Sequence, residues 1–365
     1  MSTSAADMAV ISARPRVSIA GRARPGLADA LLAAQVHLPL AGMAHAELRV
    51  VNWGRTEGEA RPDFQFNDIE LGQALEVHLG EESEATDFSG EITAIEERYG
   101  KGAPQIVLLA EDRLHHLARR RRSRALEDQD LEQVIANLAS EAGIETDLSL
   151  PDHTGTWHQL NESDLAFMLR LTAPLDLSPR IQDGRLRVRD EEQDRAPLAL
   201  DPADNLEVAR LIADLNRQPT LVRVRNWSLA NDDEINAERD AIRPAPSGHT
   251  AADLLGDLGW ASEATLPHPA PLSQAEADAL AERGLRRRAR AFVHGELLCR
   301  GIPGLRSGRE VELAGVSARL TGRWLVVDCS HRFDSAGGFR TRLKVERADW
   351  ASSGGRAGGG LGGAQ

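Results

Sequence analysis

The residues best equipped for chemistry gather in "DRLHHLARRRRSRAL", residues 112–126, where His115 and His116 precede five arginines, Arg119, Arg120, Arg121, Arg122 and Arg124. Three uses are open to such a stretch: a metal or catalytic site on the imidazoles, a phosphate grip on the guanidinium groups, or a charged join between two structural elements. Adjacent side chains point about 100° apart on a helix and to opposite faces of a strand, so neither conformation easily brings both histidines to one ion. A second set, His294, Cys299, Cys329 and His331, flanks the late strands, and within it only Cys329 and His331 share a strand face by spacing. Neither set is assigned as a metal site. Cys299 and Cys329 are the only cysteines, form no C-x-x-C motif or disulfide framework, and are expected as buried small hydrophobes.

Catalytic motifs are missing. The chain has no G-x-S-x-G turn to present a nucleophilic serine. It also lacks a G-x-x-x-x-G-K-[ST] loop, and the glycines of "GIPGLRSGREVELAGV" at 301–316 lie between strands without a following helix, which disfavours a phosphate or dinucleotide cradle. No catalytic residue, cofactor or cofactor-binding residue is assigned, and the chain is expected not to be an enzyme.

A net charge of −13 repels phosphate backbones at long range, and aromatic residues, at 4%, are too few for stacking platforms. Specific nucleic-acid binding is therefore not expected. The arginine run, with "RRRAR" at 286–290 as the only comparable stretch, reads as a solvated face or an interface rim, with a phosphate-binding patch as the alternative. No window approaches the roughly 20 apolar residues of a membrane span, and the N-terminus lacks a basic region followed by a long apolar core. Stable membrane association is not expected, and assembly is expected in the cytoplasm.

Period-two alternation marks strands at "ALEVHL" (74–79), "RLRVR" (185–189) and "FRTRLKVE" (339–346), where Phe339, Thr341, Leu343 and Val345 share one face. With "RWLVVDCSH" before it and a small-residue turn at 334–338, the last strand belongs to a hairpin. Helical stripes start at 128 (Leu131, Val134, Ile135, Leu138, ending at Gly143), in "NESDLAFMLRLTA" and at Ser273, where Ser273 and Glu276 form a capping-box pattern; a looser one is read at 239–248. The order is strands to about 110, an insert of helices and strands at about 125–195, more strands, the proline-bearing connection 266–272, one helix and a final set of strands. Such an order makes the fold class α+β with β-rich end domains.

The segment "FSGEITAIEERYGKGAPQIVLLAEDRLHHLARRRRSRALEDQDLEQVIANLASEAGI", residues 88–144, resembles the phage late control gene D family of tail baseplate hub proteins. The helix "SQAEADALAERGLRRRARAF" and the strands of "CRGIPGLRSGREVELAGVSARLTGRWLVVDCSHRFDSAGGFRTRLKVER" resemble the family's C-terminal third, in the expected order. Residues 228–272 depart from the pattern.

The resemblance implies two barrel-like β domains related by pseudo-symmetry with an inserted helix-containing α/β domain. Residues 1–14 are then a flexible tail, 15–124 the first barrel-like hub domain, 125–200 the insert, 201–350 the second hub domain with an irregular insertion at 228–290, and 351–365 a Gly-rich flexible tail. It also implies a structural baseplate hub of a contractile phage tail or tail-like injection system. Three chains would form a pseudo-hexameric ring joining the hexameric tail tube to the trimeric central spike, a virion or particle component with tube or tube-initiator, spike and wedge proteins as partners. Spike-fused relatives continue past the last hairpin, so the spike is expected as a separate protein. In this frame Arg119, Arg120, Arg121, Arg122 and Arg124 are candidate subunit-interface residues, meeting carboxylates of a neighbouring subunit through forked, charge-assisted pairs. A cell-wall hydrolase and a nucleic-acid binder are the rival functions.

Overall fold

The computed structural model describes residues 14–55, 61–80, 86–189, 196–228, 232–266 and 270–351. The tails expected at 1–14 and 351–365 lie outside the described residues except for Arg14 and Ala351, as do residues 267–269 of the connection read at 266–272.

The first strands are β1 (Arg16–Ile19), β2 (Arg22–Ala23), β3 (Leu31–Pro39), β4 (His45–Val51), β5 (Ala74–His78), β6 (Phe88–Arg98) and β7 (Gln105–Glu111), with helix α1 (Pro25–Asp29) before β3. A mixed stretch follows: α2 (His115–Arg119), β8 (Arg121–Asp130), α3 (Leu131–Glu141), β9 (Thr146–Ser149), β10 (Thr154–Ser163), α4 (Asp164–Thr172), β11 (Arg180–Gln182) and β12 (Arg185–Arg189). Next come β13 (Leu198–Leu200), β14 (Leu206–Ala213), β15 (Leu221–Ser228), β16 (Asp233–Arg239), β17 (His249–Thr250), α5 (Ala251–Asp257), β18 (Glu263–Leu266) and α6 (Gln274–Arg290). The last elements are β19 (Val293–Arg300), β20 (Glu310–Leu313), β21 (Gly322–Asp334), β22 (Gly338–Arg347) and β23 (Asp349–Trp350). The architecture is mostly antiparallel β with few helices. Among the described residues no helix is long and apolar enough to cross a membrane.

One sheet of 13 strands runs β14-β19-β22-β21-β3-β4-β7-β6-β5-β1-β2, with β20 beside β21 and β13 beside β20. Its N-terminal and C-terminal halves meet where β21 pairs with β3, from Asp328 opposite Pro39 to Asp334 opposite Ala33. One apolar core underlies both halves, with Val36, Leu48, Val77 and Leu108 from the early strands and Trp324, Phe339 and Leu343 from the late ones. Alternation dictates the inward faces: Phe339, Thr341, Leu343 and Val345 are buried along β22, as are Leu75 and Val77 on β5. Directly after β19, Gly301 is required by close packing, since a Cβ there would stand 2.1 Å from the Phe339 ring.

A second core joins the helices. Val134, Ile135 and Leu138 of α3 meet Phe167 and Met168 of α4 and Leu186 and Val188 of β12. Val224 of β15, Ile235 of β16 and Leu280 of α6 complete it; the stretch that departs from the family pattern supplies β16 and β18, which flank β15 in a three-stranded sheet, β16-β15-β18. Asp130 caps α3 by accepting from the backbone N–H of Glu132 and Gln133, at 2.9 and 3.2 Å. Ser273 caps α6, but Glu276 accepts from Leu272 rather than closing the box on Ser273. The reciprocal capping box lies instead at Thr250 and Asp253.

The helix expected at 239–248 is absent. Pro244 and Pro246 remove backbone donors and block a helical path, and the chain forms bends until Thr250 caps α5.

Candidate interface site

The arginine run straddles the end of α2 and the start of β8. Strand alternation along β8 sorts it: Arg121, Ser123 and Ala125 are exposed, while Arg122, Arg124 and Leu126 turn to the half-buried face. Opposite lies β10, paired from Arg121 against Ser163 to Asp130 against Thr154. Helix α4 starts directly after β10, so its first residue, Asp164, is carried beneath the inward arginines.

Asp164 is completely buried and is satisfied from three sides. Arg122 Nη2 donates to Oδ2 at 3.1 Å, Gln159 Nε2 donates to Oδ1 at 2.9 Å, and Arg124 Nη2 lies 3.8 Å from Oδ1. Its position in the first turn of α4 also places the carboxylate at the favourable end of the helix dipole. Arg122 donates a second bond to Glu141 at the end of α3, and Arg120 Nη1 donates to the Glu141 carbonyl at 3.0 Å. The Arg122 bond, with Arg124 and Arg120 nearby, holds the Glu141 carboxyl below its ordinary range against the opposing effect of burial. Thus Arg122 and Arg124 fasten β8 to α3 and α4 within the chain. Arg119, Arg120 and Arg121 are exposed, with Arg121 also donating to the Asn161 carbonyl.

The second run behaves in the same way. Arg290 donates to both oxygens of Asp176 and Arg286 to one of them, while Arg287 donates to the Ala173 carbonyl at 2.7 Å. Arg290 Nε also lies 3.6 Å from Glu346 of β22, so α6 ties the helical core to the large sheet.

The histidine pair corrects the expectation of divergent side chains. His115 and His116 are the first residues of α2, and their rings lie 4.0 Å apart with planes tilted by 34°. Both Nε2 atoms reach the same carboxylate, Glu91 of β6, at 3.0 and 3.2 Å. Cβ directions about 100° apart do not prevent convergence, because each imidazole extends far enough to swing onto a common point on the neighbouring strand. Close approach of β6 to β7 helps, since a Cβ on Gly90 would lie 2.3 Å from the Glu111 carbonyl oxygen. Burial pushes the Glu91 carboxyl up, but the bonds to His116 and His115 outweigh it and leave the group below its ordinary value. Asp112 turns the chain from β7 into α2; it accepts from Ala44 and Leu114, and burial pushes it up to about 7.

Of the other set, Cys329 and His331 come together as their shared strand face implies, Sγ 3.6 Å from Nε2, but among the described residues no third ligand joins them. His331 is buried, with Nε2 2.7 Å from the Leu305 carbonyl and Nδ1 3.0 Å from Thr341 Oγ1, while His294 Nδ1 faces the Ala291 carbonyl. A carbonyl partner assigns the His331 proton to Nε2, which removes that nitrogen as a ligand. Both cysteines are buried as expected, and burial pushes Cys299 up to about 12 and Cys329 further still. Among the described residues the one group of three whose metal-ligating atoms come together, all within 4.8 Å, is Glu91, His115 and His116.

The fold is shared with phage tail proteins. It matches the 43 kDa tail protein of prophage MuSo2 from Shewanella oneidensis with a TM-score of 0.66 at 15% identity, over 92% of this chain and 98% of that one. A tail protein of Neisseria meningitidis MC58 matches with 0.64 at 12% identity, over 92% and 96%. The c3393 protein of E. coli, a component of the type VI secretion system, matches with 0.55 at 12% identity, over 88% and 74%. No curated protein sequence matches the chain. Residues 35–335 match the family described as the Alg8 N-terminal domain, and the chain belongs to that family.

Proposed function

We propose that this chain is the structural hub of a baseplate in a contractile phage tail or tail-like injection system, of the late control gene D type. The observation that carries the reading is end-to-end likeness: the fold spans 92% of this chain and 98% of a prophage tail protein, so the match is to a whole tail component and not to a widespread module. The c3393 protein, a type VI secretion component described as similar to the T4 tail proteins gp27 and gp5, supports placing the chain near the spike, as do the Francisella complexes of PdpA with VgrG.

In this proposal three chains close a ring whose six β modules face the tail tube, with the trimeric spike on the opposite side and wedge proteins outside. The hub modules are residues 15–124 and 201–350, and residues 125–200 are inserted between them. Closed rings of repeated modules protect strand edges, and the exposed edge strand β14, with Val208 and Ile212 outward, is a surface such closure would cover. Of the five proposed interface arginines, Arg119, Arg120 and Arg121 are exposed and would meet a neighbour, Arg120 and Arg121 while also bonded to the Glu141 and Asn161 carbonyls. Electron-microscopy class averages of the chain with its spike protein test the reading: a ring of six similar modules is expected, and particles without a ring would overturn it.

A further inference from the structure

We propose that Glu91, His115 and His116 form a binding site for a zinc-class divalent metal ion at the corner where β6 meets α2. The donor set, two imidazole nitrogens and one carboxylate, is the type that zinc and its neighbours take, with bonds of about 2.0–2.2 Å. Two such bonds at a tetrahedral angle put ligand atoms about 3.3 Å apart. The carboxylate oxygens already lie 3.0 and 3.2 Å from the two Nε2 atoms. The two contacts run to different oxygens of the carboxylate, and one ligand atom from each of the three side chains lies within 4.8 Å of the others, so seating one ion draws them together by up to about 1.5 Å through side-chain rotation, without moving the backbone.

The surroundings fit a bound ion with open positions. His115 is buried, whereas the His116 and Glu91 side chains are 38% and 31% exposed, so the ion would be reached from one side and completed by water. Coordination through Nε2 moves the His115 proton to Nδ1, which is buried and has no hydrogen-bond partner among the described residues. That ring lacks the outer acceptor that usually backs a ligand histidine, which makes the site weaker than one whose ligands are all supported. In mechanical terms the ion would pin α2 to the sheet. Asp164 N donates to the Arg120 carbonyl directly after α2, so the pin reaches the helical core.

The test is calorimetric titration of the metal-stripped full chain with zinc chloride, beside Glu91→Gln, His116→Ala and, as a control at the separate contact of His37 with Asp328, His37→Ala. One ion per chain is expected, weakened about tenfold or more by the first two substitutions and unchanged by the third. Zinc should raise the melting temperature of the wild-type chain and not of Glu91→Gln. Binding that ignores Glu91 and His116, or no binding, overturns the proposal. Should a variant fail to fold, the visible spectrum of the wild-type chain with cobalt chloride decides: intense bands of a four- or five-coordinate ion support the site, and the weak spectrum of the aqueous ion overturns it.

Discussion

Removing the Arg122 side chain tests the claim that the inward arginines are structural. Arg122→Ala deletes donors to Asp164, which is completely buried, and to Glu141, which is 39% exposed. Breaking a buried pair costs about 3–5 kcal/mol because the surviving charge stays desolvated. Here Gln159 still donates to Asp164 and Arg124 can move in from 3.8 Å, while the Glu141 pair is solvent-screened and contributes little. The expected loss is therefore about 2 kcal/mol, or roughly 30-fold in the unfolding equilibrium. Urea unfolding followed by circular dichroism measures it, with Arg119→Ala, on an exposed position, expected within about 0.5 kcal/mol of the parent. A double-mutant cycle with Asp164→Asn should return a coupling of at least about 1 kcal/mol. The reasoning is refuted if Arg122→Ala is as mild as Arg119→Ala, or if the cycle shows no coupling.

Three further outcomes follow from the same geometry. Gly301→Ala drives a Cβ to 2.1 Å from the Phe339 ring and should cost about 1–3 kcal/mol in thermal or urea unfolding; a neutral change would show that the packing of the β19 end on Phe339 is loose. Burial pushes the Asp328 carboxyl up, but the His37 bond at 2.9 Å, with Lys344 and His45 nearby, leaves it below its ordinary value. Its contribution to stability is thus present above the ordinary carboxylate range and lost as pH falls through the lowered value, so Asp328→Asn should flatten the acid limb of a melting-temperature profile. Cys299 and Cys329, buried with raised thiol pKa values, should resist alkylation by iodoacetamide in the native protein and react in urea; rapid native labelling of either would contradict their place in the core.

Much of the fold was legible where one physical rule acts alone. Alternation along 339–346 and the stripe at Leu131, Val134, Ile135 and Leu138 needed only the strand and helix periods, and both occur as read. The looser helical reading at 239–248 fails because Pro244 and Pro246 override what local pattern the stretch carries. Long-range partners were not legible: nothing near Arg122 in sequence names Asp164 or Glu141, since a helix pattern in "NESDLAFMLRLTA" marks where a helix lies but not what covers its first turn. The histidines were judged from Cβ directions alone, which omits the reach of the ring and the carboxylate waiting on β6. The join of β21 to β3 depends on residues some three hundred positions apart, beyond any local pattern.

The most direct test of the central claim is the mass of the purified chain in solution by light scattering, alone and mixed with its cognate spike protein. A trimer, or a monomer driven to a 3:3 complex by the spike, is the result expected of a hub. A stable monomer indifferent to the spike would contradict it.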